Sequence, residues 1–247
     1  MTRKTWAVLA GVAMILTAPP LLSPAAAQFQ AQIAWCANRA HNFSRDTQIN
    51  GCATLIESGK LKGKPLAWAY NNRGVGYKNK GNFDAAFADY AEAIKLDPSY
   101  ASAFYNRGMA YDDKADHTHA IADFDTAIRL DPNSADAFTG RCAARAEVGT
   151  DLEGALADCN HSLTLRANDP FALNSRGFTF LRLNQFDSAI ADYSAALKLD
   201  PKFASALYGR GVAKQRKGDS AGGQIDMASA NLLQSDIAEE FAGYGVK

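Results

Sequence analysis

Between Ala101 and Ser134 the apolar and small positions recur at the spacing of an α-helix, first at Phe104, Gly108 and Tyr111, then, after a polar break over residues 115–118, at Ala120, Phe124 and Ala127. Pro132 closes the stretch, so the pattern predicts a helix, a turn and a second helix. The same order returns on both sides. Residues 67–100 give Tyr70, Gly74, Tyr77, Ala86, Tyr90, Ala93 and Pro98; residues 170–203 give Leu173, Gly177, Phe180, Ala189, Tyr193, Ala196 and Pro201. Gly81, Gly149 and Gly218 fall where the two helices of a pair must turn. Pro98, Pro132 and Pro201 fall where the second helix must stop. No stretch of useful length alternates like a β-strand, which makes the chain all-α.

The order aromatic, small, aromatic, then Ala-x-x-x-aromatic and a closing Pro resembles the tetratricopeptide repeat (TPR), whose period is 34 residues. The resemblance implies a right-handed α-solenoid of antiparallel helix pairs, the TPR superhelix. The expected organisation is a leader over 1–27 and a divergent helix pair over 28–66. Five copies follow at 67–100, 101–134, 135–169, 170–203 and 204–234, with a capping helix over 235–247. The third copy carries one extra residue within 150–154. The fifth keeps Leu207, Gly211 and Gly218 but has Gly223 in place of Ala and no closing Pro. Asp236 and Glu239 read as a capping box, and Ile237, Phe241 and Tyr244 share one helical face. This face is expected to cover the apolar side of the last copy, since a solenoid needs a terminal unit with a polar exterior.

Register assigns the cysteines. Cys36 and Cys142 stand at position 8 of their copies, and Cys52 and, allowing for the insertion, Cys159 at position 24. In an antiparallel pair that turns near position 16, positions summing to about 32 lie at the same height. A disulfide needs Cα atoms about 4.4–6.8 Å apart, and position 8 is on the buried, small-residue side. Cys36–Cys52 and Cys142–Cys159 are therefore expected disulfides, with buried thiols or a metal site using His41 or His161 as alternatives. The same height rule brings position 7 (Arg73, Arg107, Arg141, Arg176, Arg210) near position 23 (Asp89, Asp123, Asp158, Asp192, Asp226). The usual repeat has Leu at position 7. An Arg–Asp ladder of structural ion pairs is the expectation, an anion-binding strip the alternative.

Composition narrows the partners. The 247 residues include 26 Lys and Arg against 26 Asp and Glu. Loss of a leader holding Arg3 and Lys4 would leave 24 basic against the same 26 acidic residues. That balance gives no electrostatic footprint for nucleic acid or an anionic membrane. Lys60, Lys62 and Lys64 form a small basic cluster in what reads as a solvated connector. Residues 1–27 have the three parts of a cleavable secretory signal: Arg3 and Lys4, an apolar run from Trp6 to about Ala18, and Ala25-Ala26-Ala27 before Gln28. Pro19 and Pro20 cut the apolar run short of a membrane span. Cleavage after Ala27 would release a periplasmic or secreted protein in a bacterium, with no membrane span in the mature chain, in a compartment that favours disulfides.

The sequence holds no Gly-rich phosphate loop, no Gly-x-Ser-x-Gly and no His-Glu-x-x-His. No catalytic residue, cofactor or metal is expected. His117 and His119, near Asp112, Asp113 and Asp116, are the one candidate for a metal-dependent enzyme. What the TPR resemblance implies instead is a concave groove, lined by positions 2, 5, 9 and 12, that holds a protein or peptide partner. Trp68, Asn71, Tyr105, Met109, Phe171, Asn174, Phe178 and Tyr208 are the groove residues so implied. Val75, Phe178 and Val212 could instead be stacking residues between copies. The Lys and Asn pattern that clamps a C-terminal carboxylate in the chaperone-binding subfamily is missing here. The function expected is a non-enzymatic interaction scaffold or adaptor. A structural subunit of an envelope complex is the further alternative.

Overall fold

The computed structural model describes residues 23–38 and 42–246. Among these residues there are thirteen helices and no strand: α1 Pro24–Ala37, α2 Arg45–Glu57, α3 Gly63–Lys78, α4 Phe83–Leu96, α5 Ala101–Asp112, α6 His117–Leu130, α7 Ala135–Val148, α8 Leu152–Leu165, α9 Pro170–Arg182, α10 Phe186–Leu199, α11 Ala204–Arg216, α12 Ser220–Leu233 and α13 Ile237–Gly243. Each odd helix from α1 to α11 packs on the even helix that follows, and each pair packs on the next. The result is an all-α solenoid. No described helix is long and apolar enough to cross a membrane. The apolar run of the proposed leader and His41 lie outside the described residues. Pro24–Ala27 form the first turn of α1, capped by the Ser23 hydroxyl, so cleavage after Ala27 would leave Gln28 as the first residue of that helix.

Local chemistry sets the helix ends. Asn82, Asp116, Asp151 and Asp219 cap α4, α6, α8 and α12 by accepting from the backbone N–H three residues on. The turn before each of these helices, and before α10, needs one left-handed residue. Gly81, Gly149 and Gly218 provide it, but so do Ala115 at φ 57° and Asn184 at φ 60°. Two copies thus bend without glycine, Asn at modest cost and Ala at more. The extra residue of the third copy lies in the α7–α8 turn. Lys60 and Lys62 precede α3, but Lys64 is inside it; the connector reading fails there because α3 begins before the repeat does.

One slot fixes how close the helices of a pair come. A Cβ on Gly74 would lie 2.8 Å from the Tyr90 ring, on Gly108 2.9 Å from Phe124, and on Gly177 3.0 Å from Tyr193. Any larger residue would push the pair apart. Tyr90, Phe124 and Tyr193 are fully buried. In the divergent pair and the third copy the same slot holds a disulfide instead. Cys36 and Cys52 have Cα atoms 4.6 Å apart, and Cys142 and Cys159 5.5 Å apart. Each crosslink closes a loop of 16 or 17 residues, worth about 3 kcal/mol in the chain-entropy account.

Beside the slot, five guanidinium groups each grip one carboxylate through two parallel hydrogen bonds. Arg73 Nε and Nη2 donate to Asp89 at 2.8 and 2.7 Å, and Arg107–Asp123, Arg141–Asp158, Arg176–Asp192 and Arg210–Asp226 repeat the geometry. The carboxylates are buried. The remaining Nη1 reaches back to the preceding copy in three cases, from Arg141 to Asp125, Arg176 to Asn160 and Arg210 to Ser194. This leaves the arginines engaged within the fold and not free as an anion strip.

The ladder and the slot can each be probed by one substitution. Burial alone would raise the Asp226 carboxyl, but hydrogen bonds from Arg210 and Lys214 outweigh it and hold the group below its ordinary value. A carboxyl depressed in the folded chain contributes stability above its unfolded value, and that contribution disappears as pH falls through the folded value. Asp226→Asn should therefore cost about 3 kcal/mol at neutral pH by stranding Arg210. Its deficit against wild type should narrow below about pH 4, as urea melts at the two pH values would show. Separately, the Tyr193 hydroxyl is buried without a hydrogen-bond partner and burial drives its pKa well up. Since Phe124 fills the equivalent slot, Tyr193→Phe should stabilise the chain by about 1 kcal/mol in a thermal melt.

Candidate functional site

The first helices of successive pairs, α3, α5, α7, α9 and α11, carry the positions the sequence assigns to the groove. The structure divides these residues into covered and open. At the N-terminal end, Trp68 is half-buried against the cluster of Cys36, Cys52, Leu55 and Ala69. Asn71 is 4% exposed and its side-chain oxygen accepts from the Asn106 amide at 2.9 Å, so it braces two copies and offers nothing outward.

At the C-terminal end the cap does more than cover the last copy. Helix α13 packs on α11 and α12, and its Phe241 meets Tyr208 at 4.8 Å and Phe178 at 5.6 Å between ring centroids. Tyr244 adds a second edge contact to Phe178, and its backbone oxygen accepts from Arg182 Nη1 at 2.8 Å. Phe178 and Tyr208 are consequently 7% exposed each, which corrects their expected place on an open groove. The face Ile237, Phe241, Tyr244 is the reason: the chain supplies its own apolar occupant. Asn174 lies under the same lid, in a residual space of about 90 Å³ with Ser205, whose hydroxyl it engages at 3.1 Å. The expected capping box is not made. Asp236 forms no side-chain cap bond, and Glu240 instead accepts from Gln234.

Between these covered ends the middle of the surface is open. Tyr105, Met109 and Phe171 line a cleft of about 400 Å³ with Asp112, Asp136, Thr139, Ala143 and Arg166. It is continuous, through Tyr105, Asp136 and Arg166, with a wider depression of about 870 Å³ between α5 and the α6–α7 turn. Phe171 is 64% exposed, with only an edge contact to Phe203. Burial, with Asp136 nearby, pushes the Tyr105 hydroxyl up to about 12, so it is a neutral donor at every physiological pH. Arg166 sits between Asp136 and, at 3.3 Å, Asp169, neutralising part of an acidic wall. Asp136 occupies a groove position, but Arg166 comes from the loop after α8, which no repeat template marks as facing the cleft.

The two histidines expected near the α5–α6 turn lie in the first turn of α6 and do not converge. His119 Nδ1 meets Asp116 at 2.7 Å, and the ring stacks on Tyr111, exposed to solvent. His117 turns inward instead, its Nδ1 3.0 Å from Asp112 and 3.3 Å from Glu147 of α7. Glu147 is pushed up to about 8, by burial first and then by the Asp112 charge, against which His117 acts. Nothing in the sequence pattern singles out Glu147. The joint His117–His119 site is thus not formed.

A family model described as a tetratricopeptide repeat matches residues 101–134, and one described as a TPR repeat matches 76–114 and 179–218. None of the curated proteins matches the chain. Among solved structures, YrrB, "a TPR protein with an unusual peptide-binding site", is 24% identical; the match covers 77% of this chain and 97% of YrrB with a TM-score of 0.55. A tetratricopeptide repeat protein from Parabacteroides merdae is 13% identical over 88% of each chain, with a TM-score of 0.66. TTC0263, a thermophilic TPR protein of Thermus thermophilus, is 17% identical over 73% of this chain and all of its own, with a TM-score of 0.61. At such identities the shared property is the fold.

The lid is open to a direct test. Phe241→Ala should destabilise the protein by about 3 kcal/mol and expose Phe178 and Tyr208, giving a lower Tm and a rise in binding of a hydrophobic dye below the melt.

Proposed function

The chain is a tetratricopeptide-repeat protein, and from that premise we propose that it is a non-enzymatic interaction scaffold holding a partner segment in the open middle of its concave surface. The single observation that carries this reading is the contrast along that surface. Phe178 and Tyr208 are buried and Trp68 is half-buried by the chain's own ends, whereas Phe171 stands exposed beside Tyr105 and Met109 at the mouth of a cleft. Large aromatics at the mouth of a cleft are the kind of side chain that anchors protein interfaces when a partner covers them. The unusual peptide-binding site of YrrB, a protein of similar fold, supports the same use of the architecture. The ligand would be an extended or helical segment that places an apolar side chain between Tyr105 and Phe171, its backbone within reach of Thr139 and Asp136. The proposed address is the periplasm. A signal-like leader and two disulfides, all four cysteines being paired, support it.

Tyr105→Ala with Phe171→Ala tests the cleft. The double variant should keep the helical circular dichroism of wild type and lose at least about 2 kcal/mol of affinity, about 30-fold, for whatever partner wild type captures from periplasmic extract. Undiminished capture would remove this cleft from the function.

A further inference from the structure

Three helix ends meet at one point on the seam between the second and third copies. Asp112 is the last residue of α5, His117 the first of α6, and Glu147 lies one residue before the end of α7. One ligand atom from each comes within 4.8 Å of the other two, and His117 Nδ1 itself lies 3.0 Å from Asp112 Oδ1 and 3.3 Å from Glu147 Oε2. All three side chains are largely shielded, at 16–17% exposure. The other ionic contacts among the described carboxylates pair an acid with a Lys, Arg or solvated His. Here two carboxylates converge on a single imidazole nitrogen.

A proton on that nitrogen can point well at one oxygen only, so without an ion the second carboxyl must carry a proton of its own to be satisfied. A cation at the centre satisfies all three at once. Zinc binds imidazole nitrogen and carboxylate oxygen at about 2.0–2.2 Å, so neighbouring ligand atoms of a tetrahedral site stand roughly 3.3 Å apart. The two contacts of His117 Nδ1, at 3.0 and 3.3 Å, match that edge.

We propose that Asp112, His117 and Glu147 form a binding site for a zinc-type divalent cation. Two oxygens and one nitrogen suit zinc or its first-row neighbours better than calcium or magnesium, which favour all-oxygen shells. Three protein ligands leave the fourth tetrahedral position to water. Asp112 lines the open cleft and Glu147 the space beneath α13, so that position faces the junction of the two. The ion would join the second copy to the third, as the Arg141–Asp125 bond also does. His119 has no part in it.

Untagged full-length protein, stripped with chelator and exchanged into chelator-free buffer, should bind one zinc ion per chain in a calorimetric titration, with a rise in Tm. Glu147→Gln, which preserves shape and removes the oxygen that would bind the ion as a carboxylate, and His117→Asn should each weaken binding by about 100-fold or more. His119→Ala and His161→Ala should leave it unchanged. Cobalt added to the wild type should develop the visible absorption of a four-coordinate ion, which is read without any variant and so does not depend on how the variants fold. No saturable zinc binding, a purely six-coordinate cobalt spectrum, or binding lost with His119 in place of His117 would each overturn the site.

Discussion

The structure depends on how closely the two helices of each pair can approach at one height. At that height a residue without a Cβ lies against an aromatic ring in three copies, and a disulfide joins the pair in the divergent hairpin and the third copy. Both solutions do the same mechanical work by different chemistry. The ring fills the gap that a missing side chain leaves, and the crosslink shortens the gap covalently. Once that distance is set, the neighbouring Arg and Asp fall into bidentate register in all five copies, including the one with an inserted residue. The insertion is absorbed in the α7–α8 turn, where it changes no packed position.

A solenoid assembled this way lines up its first helices along one surface, and the chain itself decides how much of that surface remains available. The first hairpin takes the Trp68 end. Helix α13 takes the Phe178 and Tyr208 end with Phe241 and the Tyr244 that follows it. The stretch carrying Tyr105, Met109 and Phe171 is left uncovered. How much of this surface stays open therefore depends as much on what the termini cover as on what the repeats display.

The sequence showed the period, the two-helix unit, the turn glycines and the heights of the Cys and Arg–Asp pairs, because each is a local repeat of a few strongly constrained positions. It did not show that Ala115 would take a left-handed turn, since alanine does not announce that conformation, and Asn184, a residue type that tolerates it, went unread because only glycines were taken as turn signals. Nor did it show that α13 would lie over Phe178, because a contact between residues so distant in the chain follows from the curvature of the whole stack. Glu147 escaped notice for a related reason. It joins Asp112 and His117 only across the seam between copies, and a template that describes one copy at a time contains no such relation. Phe178 illustrates the limit well: its position in the repeat is the same whether it greets a ligand or a piece of its own chain.

The backward reach of the guanidinium groups is uneven along the stack. Arg141, Arg176 and Arg210 each find an acceptor on the previous copy, whereas the residues at the same repeat position before Arg107 and Arg73 are Ala91 and Ala53, which have none to offer. In a one-dimensional array, where each unit is held by its neighbours, such asymmetry divides the molecule into a tightly coupled C-terminal block and a looser N-terminal arm. Thermal agitation would then open the arm first, while the cleft around Tyr105, whose walls all come from the second to fourth copies, keeps its shape.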